Sequence, residues 1–360
     1  MGACIAIMAG GTGGHVFPAL AVANQLRAEG FEPFWIGTRS GLEASVVPQQ
    51  GFDIEWLQVS GLRGRGVGQW LRAPWILATA LREVKAIFKR RNPAVALGMG
   101  GFVSGPGGLM AKISGCPLVI HEQNSVPGLT NQWLSRLADC TFEGFAGTFP
   151  AKRGAIYCGN PVRAEILALP APEQRLAHRE GRVRLLVIGG SLGAQALNEQ
   201  VPAALALLAP AQRPEVWHQT GERTLEHAQQ AYHQAQVAAQ IVPFISDMAA
   251  AYAWADVVIC RAGALTLAEL AAAGLPSLLV PYPHAVDDHQ TANARHLVAA
   301  GAAQLLHQAT LNAEKLATAL TPLLADASLR LTMAQAARSC ARPDAVEQIV
   351  HDCRTLVAAP

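Results

Sequence analysis

Short apolar runs alternate with longer segments of helical spacing along most of this chain. "ACIAIMAG" runs through four glycines in five positions into "HVFPALAVANQL". That pattern predicts a strand, a tight loop and a helix near Pro18–Ala28, with Pro18 in the first helical turn and Gly30 as the stop. Further strand candidates are "FWIG", "AVALG", "PLVIH" and "AIYCG". Each is short and continuously apolar, as buried parallel strands are.

The pattern loosens around Gly159–Pro172 and then restarts. "VRLLVIGGSLGAQALNE" repeats the opening layout: strand, double glycine, small polar residue, glycine, helix. Later strand candidates are "EVWHQ", "QIVPF", "ADVVIC" and "PSLLVPY", and a last helix is expected near Asp344–Ala358. One βα opening used twice predicts an α/β fold of two doubly wound, Rossmann-like domains facing each other across a cleft. Each glycine-rich loop follows a strand, so ligands are expected at the carboxyl ends of the strands.

Composition narrows the class. The chain has 360 residues, 51% hydrophobic and 15% charged, which suits two globular domains. A net charge of +2 gives no global nucleic-acid signature, so no nucleic-acid partner is expected. The seven cysteines include no CxxC pair, and buried reduced thiols are expected rather than zinc ligands. No basic segment precedes an apolar core at the start, so no signal peptide is expected. No uncharged apolar run reaches the ~18 residues of a membrane span.

The loops carry the candidate chemistry. The opening loop lacks the third glycine of a dinucleotide fingerprint, because Val16 stands there, and it lacks the lysine of a P-loop. What remains is close backbone approach at Gly13 and Gly14, beside Thr12, and a helix N-terminus that favours negative charge. His15, read as a loop residue, is a candidate general base, because imidazole is substantially neutral near neutral pH. "GMGGFVSGPGGLMA" puts a second glycine-rich loop at the same edge. "HEQNSVPGLTN" places Glu122, Gln123 and Asn124 directly after a buried strand, where polar groups need partners. Glu122 is the second candidate base.

In the second half, Ser191 of "VIGGSLGA" lies before a helix and suits a diphosphate, with Arg163 of "GNPVR" as a matching cation. "VPFISDM" offers the backbone of Ile245 to a flat base, although core packing explains that segment as well. In "CRAGALTLAELAAAGLP" the residues Ala264, Leu265, Thr266, Leu267 and Ala268 open a helix. Glu269 follows among apolar neighbours, where its two oxygens suit the two hydroxyls of a ribose. Asp287, Asp288, His289 and Gln290 crowd one loop that suits either a metal or sugar hydroxyls, and the absence of any DxD motif weighs against a metal. Finally, Trp70–Arg91 interleaves tryptophans and leucines with basic residues, a pattern compatible with packing on the sheet and with lying on anionic lipid. Arg63 and Arg65 of "SGLRGRG" just before it make a second candidate anion clamp.

"GGTGGHVFPALA", "SGLRGRG", "GMGGFVSGPGG", "HEQN", "GNPVR", "GGSLGA" and "RAGALTLAELAAAGLP" stand in family order, and by them the chain resembles the MurG family of bacterial N-acetylglucosaminyltransferases. The resemblance covers essentially the whole chain. It implies the GT-B architecture, with an acceptor- and membrane-binding domain over 1–162 joined by a returning C-terminal helix, 341–360. A UDP-GlcNAc-binding domain is implied over 163–340. The implied reaction is inverting transfer of GlcNAc from UDP-GlcNAc to the 4-hydroxyl of the muramoyl sugar of lipid I, forming lipid II for peptidoglycan. A UDP-GlcNAc 2-epimerase of similar architecture is the alternative.

By position, the resemblance sets Thr12, Gly13 and Gly14 near the donor sugar and diphosphate, and Asn124 on the transferred sugar. Arg163 and Ser191 then serve the diphosphate, and Ile245 reads uracil through its backbone. Ala264 to Glu269 bind diphosphate and ribose, and Gln290, with His289 as its competitor, reads sugar hydroxyls. No metal or other cofactor is implied. The implied location is peripheral, on the cytoplasmic face of the inner membrane, with residues 70–91 on its anionic surface.

Overall fold

The computed structural model describes residues 2–58, 73–177, 179–190 and 193–358. The chain forms two compact units, one running to Arg163 and resuming at Pro343, the other spanning Ala164–Arg342.

The first unit is a seven-stranded sheet in the order β3-β2-β1-β4-β5-β6-β7. Its strands are β1 (Cys4–Ala9), β2 (Glu32–Thr38), β3 (Ile54–Leu57), β4 (Val95–Gly100), β5 (Leu118–Glu122), β6 (Cys140–Glu143) and β7 (Ile156–Tyr157). All pairings are parallel, with Ile7 of β1 opposite Trp35 on one side and Leu97 on the other. Five helices of this unit concern the site: α1 (Gly13–Ala28), α2 (Glu43–Gln49), α3 (Ala73–Arg91), α4 (Ser104–Ile113) and α5 (Leu129–Leu134).

The period-two pleat explains why β1 is apolar throughout. Ile5 and Ile7 join a core with Val16, Leu20, Leu26 and the C-terminal helix residues Ile349 and Val350. Ala6 and Met8 join the opposite core with Val84, Phe88, Met110 and Leu134. Both faces of the sheet are therefore covered. The terminal helix, Ala345–Ala358, is a working part of the first unit's core.

The second unit repeats the design with the order β10-β9-β8-β11-β12-β13. Its strands are β8 (Arg184–Ile188), β9 (Glu215–Gln219), β10 (Gln240–Val242), β11 (Val257–Cys260), β12 (Ser277–Leu279) and β13 (Ala303–Leu305). In both sheets the first strand, β1 or β8, sits between its second and fourth, so the strand order reverses there. Ligands of doubly wound sheets bind at that switch point.

Two expectations are corrected here. Helix α1 starts at Gly13, so Pro18 lies well inside it and His15 lies in its first turn rather than on a loop. The reason is that the Thr12 carbonyl already accepts the N–H groups of His15 and Val16 at 3.1 and 3.2 Å, nucleating the helix on the two glycines. In addition, β3, β6 and β13 are strands that continuous apolarity did not mark, because "IEWL", "CTFE" and "AQL" each carry polar residues.

Candidate functional site

The loop after β1 is built from carbonyl and carboxylate acceptors. Gly11 holds φ +94°, which a residue with a side chain rarely adopts. Thr12 is extended, and its hydroxyl makes no capping bond to α1. The N–H groups of Gly13 and Gly14 begin the helix and have no acceptor within it, which makes this end suited to an anion.

His15 is held from two sides. Its Nδ1 lies 3.2 Å from the Gly10 carbonyl oxygen. A carbonyl only accepts, so Nδ1 carries the proton and a neutral ring keeps its basic lone pair on Nε2. The ring edge rests on Gly100, where a Cβ would stand 2.7 Å from Cδ2 and 3.0 Å from Nε2. Gly100 and Gly101 hold φ +102° and +85°. Their turn is fastened by buried Ser104, whose hydroxyl donates toward the Met8 and Gly100 carbonyls and accepts the Gly100 N–H at 3.0 Å.

In the segment at the end of β5, Glu122 is buried, and its carboxylate accepts the N–H groups of Asn124 and Gly128 and the side-chain amide of Asn131 at 3.0, 3.1 and 2.9 Å. It also receives the Asn124 side-chain amide at 3.3 Å. A carboxylate with that set of donors shapes the Asn124 loop around itself. His121 is fully buried and donates through Nε2 to the Gly159 carbonyl at 2.8 Å. Burial lowers its pKa to about 4, so it stays neutral at working pH. Gln123 donates to the Met99 carbonyl at 2.8 Å, tying this segment to β4. Arg163 lies over the Phe17 ring, 5.7 Å from its centre.

In the second unit the loop after β8 includes Gly190 and Gly193 at φ +80° and +78°. Gly189 donates to the Gln219 carbonyl at 3.1 Å, fixing that loop to the end of β9. Ser191 lies outside the described residues, as do Trp70, Arg63 and Arg65. Ile245 is buried while its neighbour Phe244 is exposed.

After β11 the helix Ala264–Ala273 starts on an extended Gly263. The first intrahelical bond, Leu267 N–H to the Gly263 carbonyl at 3.0 Å, leaves the N–H groups of Ala264, Leu265 and Thr266 without an acceptor inside the helix, an end suited to an anion. Ala268 and Glu269 follow. Glu269 is buried and accepts the hydroxyl of buried Tyr252 at 2.9 Å. Arg261 donates to the Val280 and Pro281 carbonyls, and Asn293 to the Ala262 carbonyl, which ties the loops after β11 and β12 together. Gln290 accepts the Tyr282 N–H at 2.9 Å through Oε1. His289 opens the neighbouring helix after Asp287 and Asp288, both at positive φ. No cluster of metal-ligating side chains occurs among the described residues.

Sequence reasoning missed Glu43 and Tyr252. Glu43 opens α2 and is fully buried against the first loop. Its only signal was a carboxylate closed in by glycines in "GTRSGLE", which reads as an ordinary helix start. Tyr252 carried no signal, since a strand, β11, separates it from Glu269.

Comparison with known proteins agrees with this architecture. Residues 5–143 match the glycosyltransferase family 28 N-terminal domain and residues 184–349 the family 28 C-terminal domain. The UDP-N-acetylglucosamine--N-acetylmuramyl-(pentapeptide) pyrophosphoryl-undecaprenol N-acetylglucosamine transferase of Nitrosococcus oceani is 56% identical, over 97% of this chain and 97% of its own. The crystal structure of Acinetobacter baumannii MurG is 40% identical with a TM-score of 0.84, covering 98% of this chain and 99% of that one. The UDP-GlcNAc 2-epimerase of Neisseria meningitidis, bound to UDP-GlcNAc, has a TM-score of 0.69 over 98% of this chain and 99% of its own, but only 11% identity, so it shares the fold alone. With two family 28 domains and more than half of its residues shared along almost the entire length, the chain belongs to the UDP-N-acetylglucosamine--N-acetylmuramyl-(pentapeptide) pyrophosphoryl-undecaprenol N-acetylglucosamine transferases, the MurG family.

Proposed function

We propose that the chain transfers GlcNAc from UDP-GlcNAc to the 4-hydroxyl of the muramoyl sugar of lipid I, with inversion, to form lipid II. The acceptor oxygen attacks the anomeric carbon as the bond to UDP breaks, and the electron pair leaves with the diphosphate. Two needs follow: a base for the acceptor proton and positive potential at the departing phosphate. His15 Nε2 takes the proton. Thr12, Gly13 and Gly14 line the donor sugar and diphosphate, and Asn124 contacts the transferred sugar. Arg163, Ser191 and the N–H groups of Ala264, Leu265 and Thr266 receive the diphosphate charge, at the helix start that runs on through Leu267 and Ala268. Glu269 holds the ribose hydroxyls, the Ile245 backbone reads uracil, and Gln290 reads sugar hydroxyls.

The observation that carries this reading is the first turn of α1. There, open helix N–H groups stand beside an imidazole whose tautomer a carbonyl has fixed. Radiolabelled UDP-GlcNAc incubated with a lipid I analogue tests it. Label is expected in the lipid phase. Release of label as free sugar, with none in lipid, supports an epimerase instead and sinks the transferase reading.

The acceptor is anchored in lipid, and α3 supplies the matching surface for a peripheral site at the cytoplasmic face of the inner membrane. Its C-terminal half packs Val84, Ile87 and Phe88 into the core. Its N-terminal half leaves Trp75 77% exposed and Leu77 42% exposed. Arg82, Lys85 and Lys89 are exposed on the same helix, whereas Arg90 and Arg91 are taken up by Glu55 and Asp53. No helix of the described residues is long and apolar enough to cross a membrane.

A further inference from the structure

Glu43 is the most enclosed carboxylate of the first unit's loop region. It is fully buried at the first position of α2, with no cation bonded to it among the described residues. One oxygen, Oε2, accepts the Gly11 N–H at 2.9 Å. The other, Oε1, accepts the Thr38 N–H at 3.0 Å and the Thr38 hydroxyl at 2.9 Å. Three glycines make room for it. A Cβ at Gly10 would stand 2.8 Å from Oε1, one at Gly37 2.9 Å from Cγ, and one at Gly41 would collide with Oε2. The Leu42 N–H also donates to the Gly11 carbonyl at 3.2 Å, so the start of α2 grips Gly11 through both its N–H and its C=O.

The consequence lies one residue away. The Gly10 carbonyl that receives Nδ1 of His15 belongs to the turn that Glu43 grips, and a Cβ at Gly101 would run into that carbonyl oxygen. The carbonyl thus lies close against the Gly101 backbone. We propose that Glu43 is a positioning residue for the transfer reaction: by holding the Gly10–Gly11 turn it aims the Gly10 carbonyl at Nδ1 of His15 and so keeps Nε2 as the nitrogen that accepts the proton. This rests on His15 acting as the base. A carboxylate is needed because both oxygens face N–H donors. A glutamine presents one acceptor and one NH2, and that NH2 must confront either Gly11 N–H or Thr38 N–H.

The test is Glu43→Gln, read by initial rates with UDP-GlcNAc and a lipid I analogue and by 15N shifts of the His15 ring. The expected result is a kcat at least about tenfold lower with KM for UDP-GlcNAc within about twofold, and a ring that loses its Nδ1–H bias. Added to His15→Ala, Glu43→Gln should cost less than about twofold more, because both act through one group. An unchanged ring pattern in a folded Glu43→Gln protein overturns the proposal, whatever His15→Ala does. A full additional loss in the His15→Ala background overturns it too. If His15→Ala stays active while the ring pattern still follows Glu43, the reading of His15 as base fails and with it the role in transfer; Glu43 then fixes only the tautomer of the ring. Should Glu43→Gln not fold, Thr38→Val replaces it, removing one donor to Oε1; a lowered kcat with a shifted ring supports the proposal, and wild-type values for both overturn it.

Discussion

At the scale of single residues, the site works by making polar side chains specialise. Three groups near the first sheet's switch point look alike in sequence and differ in use. His121 is fully buried with a pKa lowered to about 4, Glu122 is saturated with donors from its own loop, and His15 is half-exposed with one nitrogen fixed. Only the last is partly exposed. In the second unit, Tyr252 does for Glu269 what the Asn124 loop does for Glu122, since a buried carboxylate without a donor is costly. Removing the hydroxyl in Tyr252→Phe should raise KM for UDP-GlcNAc by about tenfold, the worth of one hydrogen bond to a charge, with kcat within about twofold. Steady-state kinetics with donor varied at saturating acceptor check this; an unchanged KM means that the hydroxyl does not set the carboxylate. That Glu269 needs a partner was legible from its apolar neighbours. Which partner was not, because the pairing crosses a strand and no local spacing encodes it.

Among elements, helix starts and strand ends decide where chemistry sits. α1 begins at Gly13 because Thr12 is extended and its carbonyl is already engaged, a cap set by backbone rather than side chain. The glycine pair was legible as a close-approach site. The first residue of the helix was not, because Pro18 invites the reading that it opens the helix, whereas Gly13 and Gly14 carry no helix signal of their own. α3 illustrates a split within one element. Its alternation of apolar and basic residues suited both packing and lipid; in the structure Val84, Ile87 and Phe88 are buried while the start of the helix is exposed. Exposed Trp75 and Leu77 stand where the helix leaves the core. The double variant Trp75→Ser with Leu77→Ser should reduce cosedimentation with anionic vesicles several-fold while leaving transfer to a soluble acceptor analogue close to wild type. Wild-type binding should weaken as salt rises, because the basic residues contribute a screened attraction. Undiminished binding by the double variant, or none by the wild type, contradicts a membrane role for α3.

For the molecule as a whole, the repeated opening was the most informative feature of the chain. Each half builds a parallel sheet around its own first strand, and each glycine-led loop emerges at a strand's carboxyl end. The half-way restart at "VRLLVIGG" made that legible from periodicity and glycine placement alone. The strands that escaped notice were β3, β6 and β13, each with polar residues in the run, so that neither continuous apolarity nor a long alternation marks them. The dual faces of β1 and the packing of the terminal helix into the first core are properties of the assembled unit. In the proposed reaction this scaffold delivers one imidazole nitrogen to the acceptor hydroxyl. Lipid-linked transfer by His15→Ala, measured beside its equilibrium affinity for UDP-GlcNAc, tests that claim most directly. Turnover about 10²–10⁴-fold below wild type with affinity within about threefold is predicted, as for loss of a general base. Turnover within about tenfold of wild type would contradict it.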